Sequence, residues 1–446
     1  MTGVGMKGAA LIAELVAQAR AAGADAADAV LVASQGLGVS RRLGRTDHLE
    51  RSESQDLGLR VFLGRRQAIV SSTSADPAGF KRLAERALDM ARVVPEDPWA
   101  ALLEAAPPEV LPLDLEDDAE PGAEALIARA DAAEAAALAV PGVTNSEGGS
   151  AGWGRTEIAL ATSLGFAASY ARTSHSISAT ALAGEGTGMQ RDYDYSTRTH
   201  LADLDLPEAV GRSAGERATA RLAPRRPPTA KLPVVYAPRV SGSLVGHLAG
   251  AINGASVARG TSFLKDRMGE RLFAPGVAVH DDPHRPRGLR SSLFDGEGQR
   301  AAPLLLVEDG RLAAWLLDGR SARQLGLATN ARAGRGTGGP PSPGATNLCL
   351  AAGATTPEAL MADIAEGLYV TELLGSSING LTGDYSRGAA GFMIRGGQLA
   401  EPVAEITIAG NLIEMFQALT PASDLDFKRG TDAPTVRVDG MTMAGA

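Results

Sequence analysis

Two proline-dense breaks constrain this 446-residue chain more than any other feature. The first holds Pro95, Pro98, Pro107, Pro108, Pro112 and Pro121 beside the acidic run Asp114 to Asp118; the second is Pro224-Arg225-Arg226-Pro227-Pro228. Proline fixes φ and removes an N–H donor, so neither a helix nor an interior strand runs through such stretches. Three units are therefore predicted: an N-terminal α+β domain over 1–94, a middle domain of helix and antiparallel strands over 115–223, and a β-rich C-terminal domain over 230–446. At about 150 residues per domain, the length suits that division.

Within the first unit, Leu11, Ile12, Leu15, Val16 and Ala19 share one helical face, and Gly23 is placed to end the helix. Ala29 to Val32 reads as a strand. Leu57, Leu59, Val61 and Leu63 alternate, turn at Gly64-Arg65 and return through Gln67 to Ser71, which is a hairpin. Asp76-Pro77 opens a helix carrying Phe80, Leu83 and Leu88. The middle unit reads as a helix from Leu126, strands over 155–203 and a helix near 207–222. In the last unit, Leu232 to Tyr236 is a strand, and Val240, Leu244, Leu248 and Ile252 form a buried helical stripe. Thr356-Pro357 opens a helix predicted to carry Leu360, Met361, Ile364 and Leu368. Phe392 to Ile394 and Leu399 to Val403 form a hairpin around Arg395-Gly396-Gly397, and Asn411 caps a helix with Leu412, Met415, Phe416 and Leu419. The fold class is α+β and multi-domain, with N-terminal α/β layers and a β-rich end.

Charge narrows the function. Lys plus Arg number 43 against 52 Asp plus Glu, a net charge of −9, so no general attraction to nucleic acid or to an anionic membrane is expected. The basic clusters Arg41-Arg42, Arg65-Arg66 and Arg225-Arg226 are only pairs. Glu14, Gln18 and Arg20 interrupt the apolar N-terminal stretch, and no run of about 18 apolar residues occurs, so a cytoplasmic location is expected. The one cysteine, Cys349, lies in an apolar strand pattern and is predicted to be core; it rules out multi-cysteine metal sites.

Local motifs are weak taken singly. A phosphate loop must follow a strand and open a helix, which neither Gly184 to Gly188, set among strand-like residues, nor Gly334 to Gly339, running into Pro340-Pro341, does; both are predicted to be turns. His280-Asp281-Asp282-Pro283-His284 gathers four side chains of the types that ligate zinc or iron. Pro283 prevents a helix from aligning the two imidazoles, so no metal is assigned there.

Ser241 to Leu248, with its flank Ala249 to Leu264, resembles the metal-binding helix of the TldD/PmbA family, whose catalytic TldD branch carries HExxxH. That motif places its first His at Gly242, its Glu at Ser243 and its second His at His247. The branch's third ligand, a cysteine, falls near Arg429-Gly430. Glycine cannot ligate and serine cannot act as the carboxylate base for a metal-bound water, so no catalytic residue and no metal ligand is assigned to this chain. Phe294 to Gly298, Ser321 to Gly326, Thr382 to Phe392 and Pro402 to Leu412 resemble the PmbA branch, also called TldE, and Gly58 to Phe62 is similar to its N-terminal pattern. Gly319-Arg320 departs from relatives that tend to carry an aromatic there.

The resemblance implies a cytoplasmic heterodimer with a TldD-like catalytic subunit that supplies the zinc or similar divalent metal and the base. Unfolded or modified peptides would be its substrates; a homodimer is also compatible, and neither nucleic acid nor membrane is a direct partner. Family names that mention DNA gyrase modulation fit an indirect effect through degradation of a peptide toxin or antitoxin. The alternative is an autonomous metal-dependent peptidase using a site other than HExxxH, such as His280, Asp282 and His284. Small residues after Gly383 admit close backbone approach, and Asp384, Tyr385, Ser386, Arg387 and Gly388 are candidates for an interface or for peptide binding. The competing account of that run is a packed internal turn in which Asp384 pairs with Arg387.

Overall fold

In the computed structural model, which describes residues 5–107, 109 and 111–445, helix α1 (Gly5–Ala21) buries Ile12, Leu15, Val16 and Ala19 along one face. Strands β1 (Ala26–Arg42) and β2 (Arg45–Leu63) form one long antiparallel hairpin that turns at Leu43-Gly44, both at positive φ. The strand predicted at 29–32 is thus only the buried start of β1. Strand β3 (Arg66–Ser72) returns from the Gly64 turn and pairs with Leu57 to Leu63, as the alternation required. Asp76 caps the short turn before α2 (Phe80–Val93), accepting from the Ala78 N–H. Among the described residues, 94–122 hold neither helix nor strand.

Beyond that break come α3 (Ala123–Leu138), β4 (Val143–Thr162), β5 (Ala167–Ala183), β6 (Gln190–Arg198) and α4 (Pro207–Ala220). The six strands make a single antiparallel sheet in the order β3-β2-β1-β4-β5-β6, with β1 and β4 registered from Asp28↔Thr162 to Arg41↔Gly149. Segments on either side of the proline-rich stretch therefore share one sheet. Leu31, Leu57, Leu59 and Ala159 pack under α1 and α2, and Ile177, Ala179 and Ala181 pack under α3 and α4. Full burial of such a leucine or isoleucine is worth about 1.5–3 kcal/mol. The strand alternation puts all four helices on one face. The other face carries Val30 and Leu160, which pack with Phe166 and Phe294.

The C-terminal unit begins with β7 (Ala230–Tyr236), α5 (Pro238–Ala251) and α6 (Gly254–Ala258), then β8 (Val279–Asp282), β9 (Leu304–Glu308) and β10 (Arg311–Leu312). Helix α7 (Gly319–Leu325), strands β11 (Ala333–Gly334), β12 (Ser342–Pro343) and β13 (Asn347–Leu350), and α8 (Pro357–Met361) follow. The chain ends through β14 (Glu366–Ile378), β15 (Asp384–Arg395), β16 (Gln398–Asn411), α9 (Leu412–Gln417), β17 (Leu419–Pro421), β18 (Thr431–Asp432) and β19 (Val436–Ala444). Strands β16-β15-β14-β7-β19 close into a barrel because β16 also pairs with β19. A second sheet, β10-β9-β8-β13-β18, lies across α5, whose Leu244 and Leu248 join both to one core with Val234, Leu306, Leu368 and Val438.

Two helices are shorter than predicted: the one capped by Asn411 ends at Gln417, which leaves Leu419 to open β17, and α8 stops early as well. Thr356 caps α8 through the Ala359 N–H, but the helix ends at Met361, and Leu368 lies in β14. Parallel pairing of Leu368 with Val234 draws the chain into the barrel, and a Cβ at Gly367 would lie 3.1 Å from the Pro233 carbonyl. The 3.6-residue spacing of Leu360, Met361, Ile364 and Leu368 therefore reflects two buried elements in succession, not one helix. Cys349 is buried in β13, and both glycine-rich stretches lie in turns between strands.

Candidate functional site

Helix α5 leaves β7 through Ala237 and Pro238, proline occupying the first helical turn where a missing N–H costs nothing. Its buried stripe, Leu244, Val245 and Leu248, fixes the rotation of the helix and so sets where residues 242, 243 and 247 point. Gly242 lies against β18: a Cβ there would stand 2.8 Å from the Thr431 carbonyl oxygen. One residue earlier, the buried Ser241 hydroxyl donates to the Ala433 carbonyl at 3.2 Å, which fastens the helix to the same segment. The Ser243 hydroxyl turns back onto its own helix, donating to Val240 O at 2.6 Å.

His247 meets Tyr385 edge-on, with ring centroids 5.9 Å apart. Its Nε2 is buried without a hydrogen-bond partner among the described residues. Burial first, and the Arg387 guanidinium second, hold the imidazole below its usual pKa, so it is neutral at physiological pH. The sequence-predicted helix and the candidate run at 384–388 are thus brought together, at His247 and Tyr385.

The loop that the resemblance aligns with the third ligand is organised by a carboxylate. Asp432 accepts from the backbone N–H groups of Lys428, Arg429 and Gly430 at 3.0, 2.8 and 3.1 Å. Asp424 likewise accepts from the Thr435 N–H and hydroxyl. Beside this loop and the start of α5 lies a cavity of about 560 Å3, walled by α4, β6 and the barrel residues Tyr369 and Phe392.

Strand β15 carries the remaining candidates. Asp384 to Gly388 pair on one side with β16, from Asn411 to Thr407, and Tyr385, Ser386 and Gly388 pair on the other with β14. Both backbone edges are occupied, so a partner meeting these residues touches side chains and not a free strand edge. Asp384 is exposed and accepts from the Thr382 hydroxyl (2.6 Å) and Asn411 Nδ2 (3.2 Å), bonds that hold its pKa down. Arg387 donates to the Gly375 carbonyl. The small residues serve packing: a Cβ at Gly391 would fall 1.9 Å from the Tyr369 carbonyl.

The stretch 280–284 does not assemble a ligand set. Asp281 is fully buried and paired with Arg332, and accepts also from the Thr346 N–H and hydroxyl; burial leaves its pKa raised nonetheless. His280 is exposed on β8, and the Asp282 carboxylate accepts from the His284 N–H. Among the described residues no group of three His, Cys, Asp or Glu side chains stands close enough to hold a metal.

Charged groups that sequence reasoning did not single out cluster where the first sheet meets the C-terminal unit. Asp28 is bound by Arg60 and by Arg335, all three buried; burial opposes ionisation, but the two guanidinium groups hold Asp28 below its ordinary pKa. Burial pushes Asp295 up to about 6 and Glu297 up to about 7. Asp295 accepts from the N–H groups of Glu297, Gln299 and Ala333, and Glu297 from that of Gly319. The visible signal was a charged residue inside each of two apolar strands, Asp28 in Ala26–Val32 and Arg60 in Leu57–Leu63. No helix of the described residues is long and apolar enough to cross a membrane.

Comparison with known proteins places this geometry. The sequence pattern of the PmbA/TldA metallopeptidase C-terminal domain matches residues 229–445, that of the central domain 116–222, and that of domain 1 27–91. The metalloprotease PmbA of Escherichia coli O157:H7 is 36% identical over 428 residues, covering 94% of this chain and 92% of the relative. A metalloprotease PmbA homolog of Haemophilus influenzae is 30% identical over 438 residues, covering 95% and 93%. Among solved structures, TldE from Thermococcus kodakarensis superposes with a TM-score of 0.84 at 19% identity, covering 98% of this chain and all of the other (100%). A Thermotoga maritima protein described as a candidate modulator of a DNA gyrase superposes at 0.87 with 22% identity, covering 98% and 99%. At those identities the likeness concerns the fold.

Proposed function

The chain belongs to the PmbA/TldA metallopeptidase family, and from that premise we propose that it is the TldE-like, non-catalytic subunit of a cytoplasmic two-chain metallopeptidase. In this reading a TldD-like partner supplies the zinc or similar metal and the general base, and this chain completes the enclosure around unfolded or modified peptides. The observation that carries it is the packing of Gly242 against Thr431: the position that a first ligand would need is occupied by backbone, with a Cβ only 2.8 Å from the carbonyl oxygen. Ser243, bonded to Val240 O, offers no base, and the neighbouring loop offers Arg429, a permanent cation, in place of a thiolate. His247, packed on Tyr385, is left as the lone survivor of the set. The residues therefore do not fit a resident catalytic metal, and no hydrolytic step is routed through them.

Asp384 and Arg387 at the rim of the barrel, beside His247 and Tyr385, are the side chains we assign to contact with the partner or its peptide. The test is reconstitution. The purified chain, a TldD-like chain from the same cell, and their mixture are each given an unfolded peptide with and without chelator. Turnover confined to the mixture, chelator-sensitive and unaffected by His247→Ala, is the expected result. Turnover by this chain alone, or a mixture no faster than the TldD-like chain by itself, overturns the assignment.

A further inference from the structure

Two stacked phenol rings flanked by two guanidinium groups run beside the large cavity at α5, and the guanidinium groups, those of Arg239 and Arg429, line the cavity itself. Strand β6 is the last strand of the first sheet, and its Tyr193 and Tyr195 are exposed by 37% and 38% and stacked 6.3 Å apart. Arg239, in the first turn of α5, lies over Tyr193 at 4.8 Å, and Arg429 lies over Tyr195 at 5.8 Å while donating from Nε to its hydroxyl at 3.1 Å. Elements distant in sequence thus present two cations to one cavity, which at about 560 Å3 falls within the roughly 300–1,000 Å3 of ligand sites.

The charges facing this space are unequally matched. Arg217 is paired with Asp194, Arg221 with Asp192 and Glu372, and Lys428 with Asp426 and Asp205. Arg239 shares Asp192 with Arg221. Arg429 alone among these cations has no carboxylate partner among the described residues; a phenol hydroxyl holds it. Glu216 and Asp424 also line the cavity, which adjoins the start of α5, where the cap residue Ala237 offers no side-chain acceptor to the first turn, so the helix dipole contributes positive potential at that end.

The adjacent strand edge cannot take a peptide lengthwise. The Tyr193 and Tyr195 N–H groups donate to the carboxylates of Asp192 and Asp194, and the Tyr193 carbonyl accepts from Arg217 and Arg239. With those backbone groups already engaged, a ligand enters end-on. We propose that this cavity binds the C-terminal carboxylate of a peptide, the carboxylate accepting from Arg429 and Arg239 and the last side chain resting on Tyr369 and Phe392. The inference rests on the reading of the chain as a peptidase subunit and specifies which end of the peptide it holds.

Binding is measured by calorimetry on the full chain with a five-residue apolar peptide prepared as free acid, as C-terminal amide, as N-acetylated free acid, and as an amide carrying a penultimate Glu. The free acid and its N-acetyl form are expected to bind alike, and both amides at least about tenfold more weakly, the loss typical of a charge-assisted hydrogen bond. Arg429→Gln, at a loop surface, is expected to weaken the free acid by a similar factor and to abolish the difference between acid and amide. Arg429→Lys is expected to retain part of it. Equal binding of acid and amide, tight binding of the Glu-bearing amide, or an unchanged acid preference in Arg429→Gln overturns the proposal. Because the readout is binding to this chain alone, those results leave the reconstituted peptidase assay untouched, and an inactive mixture with an intact acid preference overturns only the subunit reading.

Discussion

Placing an imidazole at position 242 is predicted to damage the protein without creating a metal site. Ordinary contact between a Cβ and a carbonyl oxygen begins near 3.4 Å, whereas residue 242 would stand at 2.8 Å from Thr431 O, so α5 must retreat by roughly 0.6 Å. Such a retreat carries the Ser241 hydroxyl, now at 3.2 Å from Ala433 O, toward the limit of a hydrogen bond. Overpacking of this kind costs about 1–3 kcal/mol, and loss of the buried hydroxyl bond adds about 1 kcal/mol. Gly242→His is therefore expected to destabilise by about 2–4 kcal/mol, and Gly242→Ala by the lower part of that range, both read by urea unfolding. The triple change Gly242→His, Ser243→Glu, Arg429→Cys is expected to hold no equimolar zinc after dialysis. A triple variant that retains one zinc per chain at unchanged stability refutes the argument that β18 fills the ligand's place.

Three further outcomes follow from the packing and the charges. Gly391→Ala, whose new Cβ would lie 1.9 Å from the Tyr369 carbonyl, is expected to break the β14–β15 register and cost more than about 3 kcal/mol, visible as lost hydrogen-exchange protection in both strands. Arg332→Met strands the fully buried Asp281 carboxylate and is expected to cost about 3–5 kcal/mol; adding Asp281→Leu recovers much of it, and a double variant no better than the single one contradicts the account. Burial raises Glu297 from 4.5 to about 7, so between those pH values the folded chain keeps a proton that the unfolded chain has released. Through this group stability is lost as pH rises through that window, by about 3 kcal/mol, and Glu297→Gln is expected to remove that part of the slope while leaving the part below about 6 that the raised Asp295 carboxyl contributes. A variant whose profile parallels the parent's counts against the assigned protonation.

Elements whose signal is local were legible in the sequence: the Leu57–Ser72 hairpin, the stripe on α5, and the β15–β16 hairpin turning at Gly396-Gly397, both at positive φ. The outer half of the β1–β2 hairpin escaped notice because residues 45–55 are exposed and polar and its turn places Leu43, a residue without turn character, at φ 49°. Pairing of β1 with β4 joins residues more than a hundred positions apart, which no local period encodes. The run from Leu360 to Leu368 misled because burial in a helix followed by burial in a strand imitates helical spacing. At the site, the sequence shows glycine and serine at 242 and 243, where the resemblance would put imidazole and carboxylate, while the contact of Gly242 with Thr431 and the arginine–tyrosine row at 193, 195, 239 and 429 exist only once distant segments meet.

Metal stoichiometry tests the central claim most directly. Each chain is purified alone and as the reconstituted pair, dialysed against buffered zinc, and its bound metal counted by mass spectrometry. The account predicts well under one zinc for this chain by itself, one for the TldD-like partner, and one for the pair. One zinc held by this chain alone and lost on His247→Ala would contradict it.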